Sequence, residues 1–159
     1  MISVALVRHA KSDWGDPDLP DHDRPLNERG KRDAPAQAAR MVFTGFWPEV
    51  ILSSTAVRAR ATAQAFADEF GADVDLQPDL YGASAGVLLR AIETAGLAGA
   101  ASVMVVAHDP GITDLAYLLS SERIDHMPTC AMAAFDWEDD DWHLIDFAQP
   151  VTWWFQPPE

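Results

Sequence analysis

"SVMVVAHDPGITDLA", residues 102–116, carries an almost wholly apolar segment into a histidine, an Asp-Pro-Gly turn and a second apolar pattern. A run like 102–107, too short for a helix and polar on neither side, suits the centre of a sheet covered on both faces. Gly111 then opens a helix that places Ile112, Leu115, Ala116, Leu118 and Leu119 at helical spacing. Strand, turn and helix in this order predict a parallel sheet onto which the helix packs back.

The same unit recurs on both sides. Residues 2–7 form an apolar strand, and Asn27 caps a helix running through Met41 and Val42. Pro35 either kinks that helix or moves its start to near Asp33. "EVILS", 49–53, is a second strand; Thr55 or Ser54 caps the next helix, whose buried face is Ala59, Ala63, Phe66 and Phe70 and which Gly71 ends. "DVDLQ", 73–77, alternates like a strand with one buried face. Ser84 caps a helix with Val87, Leu88, Ala91, Ile92 and Ala95 on one side and Gly96 after it. Residues 131–137 and 142–148 predict a closing β-hairpin around the acidic turn Glu138–Asp141. The expected architecture is α/β with three layers, αβα, a mainly parallel sheet and a C-terminal β-hairpin. The whole of 1–159 is expected to be a single domain.

Composition narrows the function. The formal charge is −14, from 11 basic and 25 acidic residues, which argues against nucleic acid or an anionic membrane as the main partner. No apolar run approaches the roughly 20 residues that span a bilayer. Met1 leads straight into the first strand, so no signal peptide is expected, and Cys130 is the sole cysteine, so no internal disulfide can form. These features predict a cytoplasmic protein.

Ligands of open α/β folds bind at the carboxyl ends of the strands. Arg8 and His9 follow the first strand, Ser53, Ser54 and Arg58 follow the second, and His108 follows the central one. A parallel sheet brings those ends to one edge, where two arginines and two histidines can converge. Between the first strand and the first helix lies "SDWGDPDLPDHDRP", 12–25, a polar loop long enough to be functional. The chemistry that suits the group is phosphoryl transfer through histidine. A neutral imidazole is a competent nucleophile near pH 7. The planar arginine fork matches phosphate oxygens and keeps its charge, and a second, protonated histidine adds a donor. The helix N-termini after Ser54 and His108 offer further N–H groups.

Each residue alone has a plainer role. Arg58 by itself is a solvated helix residue like Arg60, and His108 before Pro-Gly is a turn residue. His9 and His108 lack the local spacing of a metal site. His22, His126 and His143 default to surface or hairpin positions. Trp137, Trp142, Trp153 and Trp154, with Phe147 and Phe155, read as hairpin and edge packing, with a dimer or partner patch as the alternative. Cys130 is a small core residue.

Four blocks in order, "LVRHAKSDW", "DRPLNERGKRDAP", "ILSSTAVRARATA" and "VVAHDPGITDLA", resemble the histidine phosphatase superfamily, the phosphoglycerate-mutase-like fold. The "RHAKS" start looks most like its SixA-type phosphohistidine phosphatase branch. The resemblance implies that His9 becomes phosphorylated, that Arg8 and Arg58 bind phosphoryl oxygens, and that His108 is the second histidine. It also implies that neither metal nor organic cofactor is needed. Two departures stand out. Thr55 replaces a usual proline, and Asp109 replaces a usual asparagine, adding an anion that would either hold His108 protonated or repel phosphate. Larger members protonate the leaving group with a carboxylate after the third strand; in "QPDLYGAS" only Asp79 is available.

The expected activity is hydrolysis of a phosphate, phosphohistidine on a protein above all, because a phosphoramidate needs less help in leaving than an alkoxide. The absence of a long lid-forming insertion predicts an open site that fits a phosphorylated protein side chain. The alternatives are a phosphatase of small phosphorylated metabolites and a non-catalytic phosphate- or partner-binding module.

Overall fold

The computed structural model describes residues 1–159. In chain order the elements are β1 (Ile2–Arg8), α1 (Glu28–Val42), β2 (Val50–Ser53), α2 (Val57–Phe70), β3 (Val74–Leu76), α3 (Ala85–Leu97), β4 (Ser102–Ala107), α4 (Gly111–Leu119), β5 (Met132–Trp137) and β6 (Thr152–Gln156). Short 3-10 turns lie at Asp21–Asp23, Pro78–Leu80 and Trp142–Asp146. One six-stranded sheet has the order β3-β2-β4-β1-β5-β6. The pairs β3/β2, β2/β4 and β4/β1 are parallel, and β5 and β6 complete the sheet antiparallel.

The 102–107 run lies where its composition demands, between β2 and β1. Its odd-numbered residues Val103 and Val105 join a core with Leu6, Phe135, Ile92 and Leu115 under α3 and α4. Its even-numbered residues Met104 and Val106 join a second core with Val7, Met41 and Phe66 under α1 and α2. Side chains alternate across a strand, so a strand with a core on each face must be apolar at nearly every position. Registers Arg8↔Ala107 and Ser53↔Val106 then bring the three strand ends level.

Several boundaries differ from the sequence expectation, each for a local reason. Helix α1 starts at Glu28: the Asn27 side chain accepts from Gly30 N at 2.9 Å, and Pro35 sits within the helix on its exposed side. Helix α2 is capped by neither Ser54 nor Thr55. Its N-cap is Ala56, because both hydroxyls are engaged elsewhere, Ser54 with His108 and Thr55 with His22. β3 has no buried face: Val74 is half-buried and Asp75 and Leu76 are exposed, as befits a three-residue edge strand. Val87 and Leu118, expected on buried helix faces, are exposed.

Gly96 does not follow α3 but lies in its last turn. A Cβ there would come 2.1 Å from the Trp142 ring, so this glycine serves packing rather than termination. The hairpin's second arm is β6, paired from Met132↔Gln156 to Asp136↔Thr152, and residues 142–146 form a 3-10 turn instead. Buried Trp142 and Ile145 are three apart, a helical rather than an alternating spacing. Trp137 and Trp142 are buried, Trp153 and Trp154 are half-buried, Phe147 is exposed, and Cys130 is buried in a small core. No helix is long and apolar enough to cross a membrane.

Candidate active site

β1 carries Arg8 and His9 to the carboxyl edge, and the parallel ladder extends one residue further through His9 N, which donates to Ala107 O at 3.0 Å. His9 Nδ1 lies 2.8 Å from its neighbour's carbonyl, Ala10 O. A carbonyl can only accept, so Nδ1 carries the hydrogen and the lone pair of the neutral ring is left on Nε2. Thr62 of α2 ties this strand exit to the second arginine. Its Oγ1 accepts from Ala10 N at 2.9 Å and donates to Arg58 O at 2.8 Å.

His108 leaves β4 with its ring centroid 5.0 Å from that of His9. Its Nε2 bonds Ser54 Oγ at 2.8 Å. The Gly that ends the His-Asp-Pro-Gly turn is required there: a Cβ on Gly111 would lie 2.0 Å from Ala83 O. Arg58, in the first turn of α2, is buried rather than solvated, whereas Arg60 is exposed. The structure therefore brings Arg8, His9, Arg58 and His108 together from β1, α2 and the β4 exit.

The hydrogen bonding of this group is incomplete in a telling way. Only five buried side-chain nitrogen or oxygen atoms lack a partner, and three are Arg8 Nε, Arg58 Nε and His108 Nδ1. Unpaired buried polar atoms cost about 1–3 kcal/mol each, so native proteins keep few of them. Three on four neighbouring residues set this cluster apart from the rest of the interior.

Burial sets the protonation states. It pushes His9 down to about 4, against the pull of the Ala10 carbonyl and with help from Arg58, Arg8 and Arg24. It pushes His108 down to about 3, helped by His9 and Arg58 and opposed by Asp21. Both shifts favour neutral rings at pH 7 and run against the expectation of a protonated second histidine. Asp109 does not face His108 either. It lies 3.7 Å from Arg8 Nη1 and accepts from the Thr113 hydroxyl, which makes it a neighbour of the arginine.

The 12–25 loop contributes Asp21 and His22, which lie between the quoted blocks, and Arg24, which lies within one of them but was given no role. Asp21 O and Oδ2 accept from Arg58 Nη1 and Nη2 at 2.7 and 3.0 Å. Tyr81 donates to Asp21 Oδ2 at 2.5 Å, and Arg24 Nε donates to Oδ1 at 3.0 Å. Together the Tyr81 hydroxyl, Arg58 and Arg24 hold the Asp21 carboxyl far below the usual carboxylate range, and Asp21 in turn raises the Tyr81 phenol. His22 is not a bystander: its Nε2 bonds Thr55 Oγ1 at 2.8 Å and its ring meets the Tyr81 ring edge-on at 4.9 Å. Tyr81 stands edge-on to His108 at 5.4 Å, a partial roof over a site expected to be open. For Asp21 and His22 the loop's length is the only sequence signal. Asp79 is exposed and lines a groove with Gln77, Ser84, Val87 and Arg90 that none of the four lines. His126 and His143 are exposed, and burial raises the Cys130 thiol to about 12.

The chain is similar to known proteins in sequence and in fold. The sequence profile of the histidine phosphatase superfamily (branch 1) matches residues 4–88. An uncharacterised chloroplast protein of Arabidopsis thaliana is 36% identical over 140 residues, 82% of this chain. The chain spans 64% of that relative's length. An uncharacterised protein of Mycobacterium tuberculosis is 35% identical over 117 residues, 72% of this chain and 70% of its own. Among solved structures, a candidate phosphohistidine phosphatase SixA from Agrobacterium tumefaciens superposes with a TM-score of 0.77 at 33% identity, covering 85% of this chain and 91% of that one. Another from Nakamurella multipartita gives 0.84 at 26% identity, covering 99% and 96%. The six-stranded sheet, the clustered arginines and histidines and these likenesses agree: the chain belongs to the histidine phosphatase superfamily, in its SixA-type branch.

Proposed function

We propose that this phosphatase removes a phosphoryl group in two steps, with phosphohistidine on a protein as the favoured substrate. In the first step the His9 Nε2 lone pair attacks phosphorus in line, an N–P bond forms, and the leaving group departs with the bonding pair. In the second, water attacks the phosphorylated His9, releasing inorganic phosphate and restoring the imidazole. Arg8, Arg58 and His108 hold the phosphoryl oxygens as charge spreads over them. The observation that carries this reading is the trio of unpartnered buried polar atoms on those three residues beside an imidazole with a free Nε2.

The choice of substrate rests on the lack of a proton donor. Asp21 is held ionised, Asp109 neighbours Arg8, and Asp79 is exposed in a groove that none of the four lines. An alkoxide leaving group needs a proton from the enzyme, whereas the imidazole of a phosphohistidine leaves without one from a strong acid. The SixA naming of the structural relatives supports the same class. The test is mass spectrometry of protein mixed with a generic aryl phosphate and quenched, expecting phosphate on His9. A panel of phosphohistidine protein against sugar phosphates then fixes the substrate class. Faster turnover of the sugar phosphates would assign a metabolite phosphatase, and neither trapping nor turnover would leave a binding module.

A further inference from the structure

Both arginines of the clamp are unpartnered at Nε and tied at their terminal nitrogens. For Arg8 the tie is the backbone carbonyl of Met127, at 2.9 Å from Nη1. For Arg58 it is a single loop residue: Asp21 takes Nη1 on its carbonyl and Nη2 on its carboxylate. The Asp21 carboxylate is itself held on both oxygens, by Tyr81 on one and by Arg24 on the other. Arg24 is in turn fixed by Ser12 Oγ at 2.7 Å and covered by the Trp14 ring, 3.4 Å from its guanidinium carbon.

We propose that Asp21, braced by Tyr81 and Arg24, is a positioning residue that holds the Arg58 guanidinium by its terminal edge. The Nε edge is thereby kept for the phosphoryl oxygens. The inference rests on the proposed role of Arg58 as a phosphoryl ligand. A guanidinium rotates freely about its long stem, and a bidentate contact to phosphate needs one orientation. Asp21 fixes that orientation before substrate arrives, as side chains around a site do when they lock the group that acts. The 12–25 loop then has a mechanical reason for its length: it must reach from the end of β1 over to the first turn of α2. Its ends are pinned by the Ser12↔Leu26 bridge, so Asp21 is presented from a closed loop rather than a loose one. Asp21 does not donate a proton, since three donors converge on its carboxylate.

A double-mutant cycle with aryl phosphate turnover and tungstate binding tests this. In the wild-type background Asp21→Ala should lower kcat/KM by about 10–100-fold, the effect of losing charge-assisted hydrogen bonds at one ligand. It should weaken tungstate by a similar factor at a temperature well below the variant's thermal midpoint, which itself falls because buried Arg58 and Arg24 each lose an acceptor. Asp21→Asn, which still accepts from Arg58, should recover most of the loss, and Tyr81→Phe should cost about threefold. In the Arg58→Ala background, Asp21→Ala should add nothing. An equal loss in both backgrounds would show that Asp21 acts independently and overturn the proposal. So would tighter tungstate binding in Asp21→Ala, which would make the carboxylate a competitor of the anion, and so would an unchanged rate. A loss that vanishes when the assay temperature is lowered until the variant is fully folded would assign a structural role instead. A wild-type protein blind to tungstate and inert toward aryl phosphate would overturn the proposed function and this inference with it; an active, tungstate-binding wild type confines any failure to Asp21.

Discussion

The two halves of the clamp are built by different means. On the β1 side Arg8 and His9 are held by backbone carbonyls, Met127 O and Ala10 O. On the other side His108 is held by the Ser54 hydroxyl and Arg58 by Asp21, a residue of the 12–25 loop. A carbonyl in the folded backbone survives any side-chain substitution, so the first half is as firm as the sheet. The second half depends on side chains that can be removed singly. The difference locates the sensitivity of the site: the tautomer of His9, the proposed nucleophile, is secured by the main chain, and the proposed ligands opposite are secured by replaceable groups.

Removing the acting groups themselves should be worst on both sides. His9→Ala should lose turnover by on the order of 10⁴-fold or more and abolish trapping of phosphate. Arg58→Ala should cost about 10²–10³-fold, as loss of one transition-state donor does. Initial rates with an aryl phosphate measure both, and a near-normal Arg58→Ala rate would remove that residue from the clamp. Next in size, Ser54→Ala frees His108 Nε2 and should lower kcat by about tenfold, the weight of one buried hydrogen bond. The same measurement on Ser53→Ala, whose hydroxyl bonds only the Ser54 carbonyl, provides the contrast.

Acidification tests both halves at once. Burial depresses His9 to about 4 and His108 to about 3, so each ring should stay neutral well below the 6.5 of a free histidine. Between those values the unfolded chain binds protons that the native one refuses, so stability should fall as pH drops from about 6.5 toward 4. Nitrogen-15 shifts of the two rings and urea midpoints at pH 7 and 5 check this. A ring titrating near 6.5 would break the picture for its half. The smallest effect should come from Asp109→Asn. The pair with Arg8 is 3.7 Å apart and partly exposed, and the Met127 carbonyl remains, so the rate should change by less than about fivefold.

The strands at 2–7, 49–53, 102–107 and 131–137 are legible in the chain, and so is the edge at which Arg8, His9, Arg58 and His108 gather, whereas the strand expected at 142–148 lies at Thr152–Gln156. Apolar runs at 2–7 and 102–107 could only be interior strands, and parallel strands align their carboxyl ends. Residues such as Gly96 were misplaced because a glycine that ends a helix and one that admits a tryptophan look alike along the chain. Trp142, whose ring fills that space, is 46 residues away.

The sequence by itself determined the layered sheet, the edge at which Arg8, His9, Arg58 and His108 meet, and the family they belong to. Tertiary structure alone decided how those side chains are held and charged. Neutral histidines follow from burial, which no neighbour in sequence reveals. The tie between Asp21 and Arg58 joins residues 37 positions apart through a loop whose path only the folded sheet defines. Spacing along a chain encodes periodicity and strand ends, whereas hydrogen bonds and desolvation depend on distances in space.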